Sequence, residues 1–316
     1  MGSTPVSTES TTVVRLGRQR ARDYRARTRP VWMEKPSFAM QGLKGLVLLL
    51  VCVAVIYPFL VVIGTSLSTQ QEIAANNGFV LIPMHPTLEA YRTILSGGIV
   101  TEALFRSIGI TLVGTALSVT LTVMMAYGLS RRIMGGNFFL MTALLTMLFS
   151  PGIIPTFLVV KELGLLGTFA ALILPTALSA FNLIIIRSFF MNVPSELVEA
   201  ARLDGAGDIR ILWNVMLPLS KAVIAVIGLF YAVGYWNMFF NAMLYVDSDK
   251  WPLAMVLRQY VLLGSSIDAN TGAEIAAPSQ AIQMAVVVIS LVPILCVYPF
   301  LQKYFTKGVL TGAVKG

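Results

Sequence analysis

The sequence offers few residues with which to do chemistry, and their types exclude most of it. It has one histidine, His85, and two cysteines, Cys52 and Cys296, each cysteine inside an apolar run. There is no HExxH, no cysteine cluster and no pair of carboxylates within an apolar run. A metal site or proton shuttle built on histidine is therefore not expected, and neither is an intramembrane enzyme. GxxxxGK[ST] is absent too, so no cofactor, and neither ATP nor its magnesium, is expected on this chain itself. The patterned charge sits in one place, about residues 187–221. There Arg187, Arg202, Arg210 and Lys221 face Glu196, Glu199, Asp204 and Asp208, and the segment is neutral overall. That is a pattern for docking rather than for a polybasic contact with lipid.

A second group is polar but uncharged. In "FYAVGYWNMFFNAMLY" the four-residue spacing of Asn237 and Asn241 predicts one helix face, shared with Gly234 and more loosely with Phe230. Ser179 and Asn182 form a similar i, i+3 pair. Such residues either glue apolar helices together or line a polar passage. Tyr235, Trp236, Asn237 and Asn241 suit stacking on sugar rings and hydrogen bonding to hydroxyls; packing of the aromatics against another subunit is the equal alternative.

These residues must be positioned by a membrane protein. Of 316 residues 56% are hydrophobic and 12% charged, against about 25% charged in soluble domains. Six apolar runs appear: Leu43–Leu67, Ile108–Leu129, Phe138–Val160, Phe169–Ile186, Val223–Leu244 and Ile282–Leu301. Each is near the roughly 20 residues that a helix needs to cross the hydrocarbon core. The expected class is an all-α polytopic membrane protein with six transmembrane helices in a domain over 43–316. Run one is too long and too far from the start for a cleaved signal. With the amino terminus inside, 18 of the 23 Lys and Arg fall on inner segments, which puts both termini in the cytoplasm. The net charge of +8 is thus a matter of membrane orientation, and nucleic acid is not an expected partner.

Residues 1–42, Ser/Thr-rich and then Arg-rich, read as a disordered basic tail against lipid headgroups. The outer loops are expected over about 68–103 and 246–280. In the first, Thr87 is placed to cap a short helix with Leu88, Tyr91, Ile94 and Leu95 on one side. "SPGIIP", Ser150 to Pro155, interrupts run three, either as a proline kink or as a broken segment beside a water-filled path. No ionisable residue sits in the middle of any run, so ion or proton coupling within the membrane has no group to use.

The charged segment has its own grammar. Pro194 and Glu196 suit a helix start, and Gly205 suits a left-handed residue at its end. Asp208 is placed to cap a second helix, Ile209 to Leu217, which Pro218 interrupts. The first helix carries Leu197, Ala200 and Ala201 on one side. At roughly ten residues it is marginal alone, so it needs something to pack on.

Glu199-Ala200-Ala201, three residues, Gly205, nine residues, then Val215-Met216-Leu217-Pro218 resembles the EAA loop of ABC importer permeases, with Val215 where isoleucine is usual. "SAFNLIIIRSFF" and "LFYAVGYWNMFFNAMLYV" are similar to the carbohydrate-uptake permeases related to MalG, in their LplC-like branch. The resemblance runs from about residue 45 to the end. It implies a type I ABC importer permease fold in a bacterial plasma (inner) membrane. It also implies that the loop over about 192–218 holds a coupling helix that docks on a separate ATPase. Glu199, Ala200, Ala201, Asp204, Gly205, Leu217 and Pro218 would then be the coupling residues. The implied partners are a second permease subunit, two ATPase subunits carrying ATP and magnesium, and an extracytoplasmic solute-binding protein reached by the loop from about Asp247 to Ser279. The implied cargo is an oligo- or polysaccharide, acidic or neutral. A stand-alone secondary transporter or channel for a small polar solute is the alternative. It leaves the EAA segment unexplained.

Overall fold

The computed structural model describes residues 38–131, 133–149, 151–262, 266–267, 274–275 and 279–312. The Arg-rich tail expected over 1–42 lies, up to residue 37, outside the described residues, as does most of the loop around Gly272 and Pro278. Among the described residues the helical segments include α1 (Phe38–Ser66), α2 (Gln70–Ala75), α3 (Glu89–Leu95), α4 (Ile99–Ser130), α5 (Gly136–Leu148), α6 (Ile153–Glu162), α7 (Phe169–Thr176), α8 (Ala180–Met191), α9 (Ser195–Leu203), α10 (Asp208–Leu219), α11 (Lys221–Trp236), α12 (Phe240–Tyr245), α13 (Leu253–Leu262) and α14 (Gln280–Gly312), with a 3₁₀ turn at Ser248–Lys250 between α12 and α13. A two-residue antiparallel ladder pairs Ser266 with Ile275 and Ile267 with Glu274.

The chain divides at Pro58 into two compact units. In the first, every described side chain of α1 is exposed, although nearly all are apolar. A helix greasy on all sides belongs in lipid or inside a larger apolar assembly.

In the second unit α4 is the spine, packing on α8, α11 and α13. Its small residues set the distance. A Cβ on Gly114 would stand 2.8 Å from Tyr235 Cε2, so the ring of Tyr235 lies directly on the α4 backbone. One buried cluster, including Tyr127, Leu183, Ile186, Ile227 and Tyr231, joins α4, α8 and α11. A second joins Ile73, Ile94, Trp236, Leu253, Val256 and Val286.

The six runs are not six continuous helices. Three helices, α1, α4 and Gln280–Pro299 of α14, are long and apolar enough to cross a membrane, and counting two bent pairs as spans gives up to five. Run three stops at Leu148 and resumes at Ile153 after Gly152 at φ +85°. Ser150 is outside the described residues. The interruption is a gap rather than a kink, because Pro151 and Pro155 each lack an N–H and Pro155 falls in the first turn of α6, where none is needed. Run four bends by 51° between α7 and α8. Run five ends its helix at Trp236 and resumes at Phe240.

The short helix after Thr87 starts one residue later than its expected position allowed. Thr87 Oγ1 accepts the N–H of Glu89 at 3.2 Å, and the buried side is Ala90 and Ile94, while Leu88 and Leu95 are exposed. Tyr91 turns its hydroxyl to Ser66 Oγ at 2.7 Å.

Gly114→Ala should lower the thermal unfolding midpoint of the detergent-purified protein, by about 1–3 kcal/mol of overpacking. Gly109→Ala, on the same helix with nothing within 4 Å of its added Cβ, should leave it unchanged.

Candidate functional site

The charged segment folds as a helix with a closed end. α9 starts after Pro194 and stops at Asp204. Gly205, at φ +77°, donates to Arg202 O at 3.0 Å, and Ala206 donates to Ala201 O at 2.9 Å. These two bonds are a Schellman motif, which needs a residue without a Cβ penalty at Gly205. Val198 is the buried anchor of α9 and Ala201 is partly buried beside it. Glu199, Ala200, Asp204 and Gly205 are exposed. Leu203, the last residue of α9, and Ile209 and Trp213 of α10 are 90%, 76% and 66% exposed.

Asp208 does not cap the second helix with its side chain. It is the first helical residue after Gly207, and its carboxylate lies 3.5 Å from Arg202 Nη2. α10 is wound as a π-helix over Leu212–Met216 before Leu217 and Pro218. A wider turn there fits the missing N–H of Pro218, whose ring would otherwise meet the carbonyl four residues back. Leu217 is partly buried and Pro218 exposed. The chain then turns by 85° into α11.

The start of α10 is fastened to α4. Tyr127 donates from its hydroxyl to Asp208 O at 3.1 Å. Its ring packs edge-on against Phe190 at 6.2 Å and carries the Arg131 guanidinium at 4.7 Å on its face. Arg187 Nε donates to Leu129 O at 2.9 Å, tying α8 to the same end of α4.

Further along α4 lies a cavity of about 410 Å³. Thr176, Ser179 and Asn182 come from the bend in run four. Phe230, Tyr231, Gly234 and Tyr235 come from α11, and Asn237 to Asn241 from the break after it. Ser179, Asn182, Tyr235, Asn237 and Asn241, found separately in the sequence, therefore share one cavity. They are not joined by the helix faces expected of them. Asn237 ends α11 and Asn241 belongs to α12. Ser179 caps α8, its Oγ accepting from Asn182 N at 3.4 Å. Trp236 lies outside the cavity, in the second cluster, and its Nε1 donates to Ser290 O at 3.2 Å.

Two tyrosines hold this cavity open by closing the backbone around it. Pro175 and the 3₁₀ turn at Leu174–Thr176 leave Ile173 O without its helical donor, since Ala177 N donates to Leu174 O instead. Tyr235 donates its hydroxyl to Ile173 O at 3.2 Å. On the other side of the bend, Ser179 N donates to Tyr231 Oη at 3.0 Å. Both hydroxyls also engage α4, at Ser118 Oγ, 2.8 Å from Tyr235, and Thr122 Oγ1, 2.7 Å from Tyr231. Thr122 spends its own proton on Ser118 O at 2.6 Å, so Tyr231 donates to Thr122. By the same count Ser118 donates to Tyr235. Sequence reasoning passed over Tyr127, Tyr231, Ser118 and Thr122. The available signal was a pair of four-residue spacings, Ser118/Thr122 and Tyr231/Tyr235, on two runs.

None of the cavity-lining side chains carries a formal charge. Among the described residues no three His, Cys, Asp or Glu come together for a metal. What the arrangement offers is a polar, aromatic-walled recess between broken helices, tied through α4 to the segment that follows the exposed helix α9.

The chain belongs to the family of binding-protein-dependent transport system inner membrane components, whose model matches residues 36–311. It is therefore a multi-pass, inner-membrane permease component of ABC importers. It is 48% identical over 85% of its length to a polygalacturonan/rhamnogalacturonan transport system permease protein, YtcP of Bacillus subtilis, and covers 96% of that protein. It is 50% identical over 83% of its length to protein LplC of the same organism, covering 90% of it. Its fold matches, with a TM-score of 0.77 and 32% identity, a chain in the crystal structure of a bacterial ABC transporter involved in import of the acidic polysaccharide alginate, over 86% of this chain and 100% of that one.

Tyr231→Phe should lower stability by about 0.5–2 kcal/mol, because it strands Ser179 N at the run-four bend, and Tyr235→Phe by less, because Ile173 O keeps the Thr176 hydroxyl at 3.4 Å. The unfolding midpoints of the purified variants measure this. Unchanged midpoints in both would contradict the role given to the hydroxyls.

Proposed function

We propose that this chain is one half of the translocation path of an ATP-driven carbohydrate importer. Six spans with both termini in the cytoplasm follow from the run lengths and the lysine and arginine distribution. Its counterpart is a second permease chain in a pseudo-symmetric pair, with two ATPase subunits on the cytoplasmic side and an external solute-binding protein. ATP and magnesium belong to the ATPases. The cargo is an oligo- or polysaccharide. The saccharide transporters among its relatives support that class. So does a cavity walled by Asn182, Asn237 and Asn241 amides and by phenylalanine and tyrosine rings, which match hydroxyls and sugar faces.

The observation that carries the reading is α9. Its Glu199 and Ala200 are exposed, as are the apolar Leu203, Ile209 and Trp213 close by in the chain, while Val198 is buried and the Tyr127–Asp208 bond fastens the start of α10 to α4. Small Ala200 and Ala201 allow close approach, Glu199 and Asp204 offer polar contacts, and Gly205 closes the helix. Leu217 and Pro218 shape the turn into α11, the helix that lines the cavity. A push on α9 thus reaches the cavity by two routes, through α4 and through α10 into α11.

Gly205→Asp should uncouple the importer. The left-handed position costs an L residue about 1–2 kcal/mol, which frays the end of α9. In the purified complete complex, uptake per ATP hydrolysed should fall while the variant still assembles. Coupling equal to wild type would overturn the assignment of α9.

A further inference from the structure

The cavity recognises saccharide hydroxyls and ring faces, but its lining holds no charge to meet an acidic one. One of its walls does. Phe239 lines the cavity, and the Arg258 guanidinium of α13 lies over the Phe239 ring, 5.7 Å from its centroid. Arg258 Nη1 also points at Met243 Sδ, at 3.6 Å. Sulfur is a weak acceptor, and a guanidinium has five N–H donors, so most of its capacity is unspent. Among the described residues Arg258 takes part in none of the ion pairs, which join Arg106 to Glu102, Arg202 to Asp208 and Lys250 to Asp249. Stacking on a ring holds the planar fork in one orientation without consuming its hydrogen bonds.

We infer that Arg258 is a specificity-determining residue that reads a carboxylate on the saccharide as it enters the cavity, so that the preferred cargo is a uronic-acid-type oligosaccharide. This rests on the saccharide importer reading above and adds the charge class. A carboxylate accepts two parallel N–H bonds from a guanidinium, while a lysine ammonium meets it as a point charge. By the lysine and arginine distribution Arg258 lies on the outer side, where the cargo arrives.

The test is equilibrium binding of trigalacturonate, and of its fully methyl-esterified form, to the assembled importer complex carrying wild-type chain, Arg258→Gln or Arg258→Lys. Wild type should bind the acid form more tightly. Arg258→Gln should weaken the acid form about tenfold, the loss of one charge-assisted pair, and leave the ester nearly unchanged. Arg258→Lys should fall between them. Equal loss of both forms, or an unchanged ratio between them, would overturn the role of Arg258. Wild type binding only the ester would overturn it as well. Wild type binding neither form would instead remove the saccharide reading beneath it, and this inference with it.

Discussion

Two tyrosine hydroxyls carry the central constraint of this protein. A backbone inside a membrane has no water to satisfy it, so every broken helix needs a substitute partner. Tyr235 supplies a donor to Ile173 O and Tyr231 an acceptor to Ser179 N, one on each side of the bend in run four. Both are buried, and both are held on α4 by Ser118 and Thr122. The bend, α11 and α4 are therefore fixed at one level, and the cavity exists because two runs break there and remain satisfied.

The same helix carries the other end of the device. Tyr127, further along α4 than Ser118 and Thr122, grips the Asp208 carbonyl at the start of α10. The start of α10 and the cavity are thus attached to one helix. The absence of ionisable residues in the middle of the runs then has a mechanical counterpart. A chain with nothing in the membrane to hold a coupling ion presents a well-capped helix outward instead.

The bounds of α9 were legible because its signals are local. Pro194 starts it, Gly205 ends it, and both act through their own backbone angles. The cavity was legible in its residues but not in its geometry. Asn237 and Asn241 seemed to share one helix face, yet α11 stops at Trp236 and they meet at the cavity from either side of a break. Uniform apolarity hides such breaks, since lipid-facing and broken stretches use the same residues. Pro175 and Ser179 were the clues in run four, as a missing donor and a cap. Trp236 and Tyr235 are neighbours in sequence and stand about 100° apart on a helix, so one turns to the second cluster while the other faces α4 and the cavity. Arg258 read only as an outer charge, because its position over Phe239 depends on how α13 packs.

The account stands on the claim that this chain receives its energy at α9 and has no ion coupling of its own. The most direct measurement is saccharide uptake into proteoliposomes holding the complete complex and loaded binding protein, with ATP or an ion gradient supplied separately. Uptake should require ATP on the ATPase side and persist when ionophores collapse every gradient. Uptake that follows a proton or sodium gradient in the absence of ATP would contradict it.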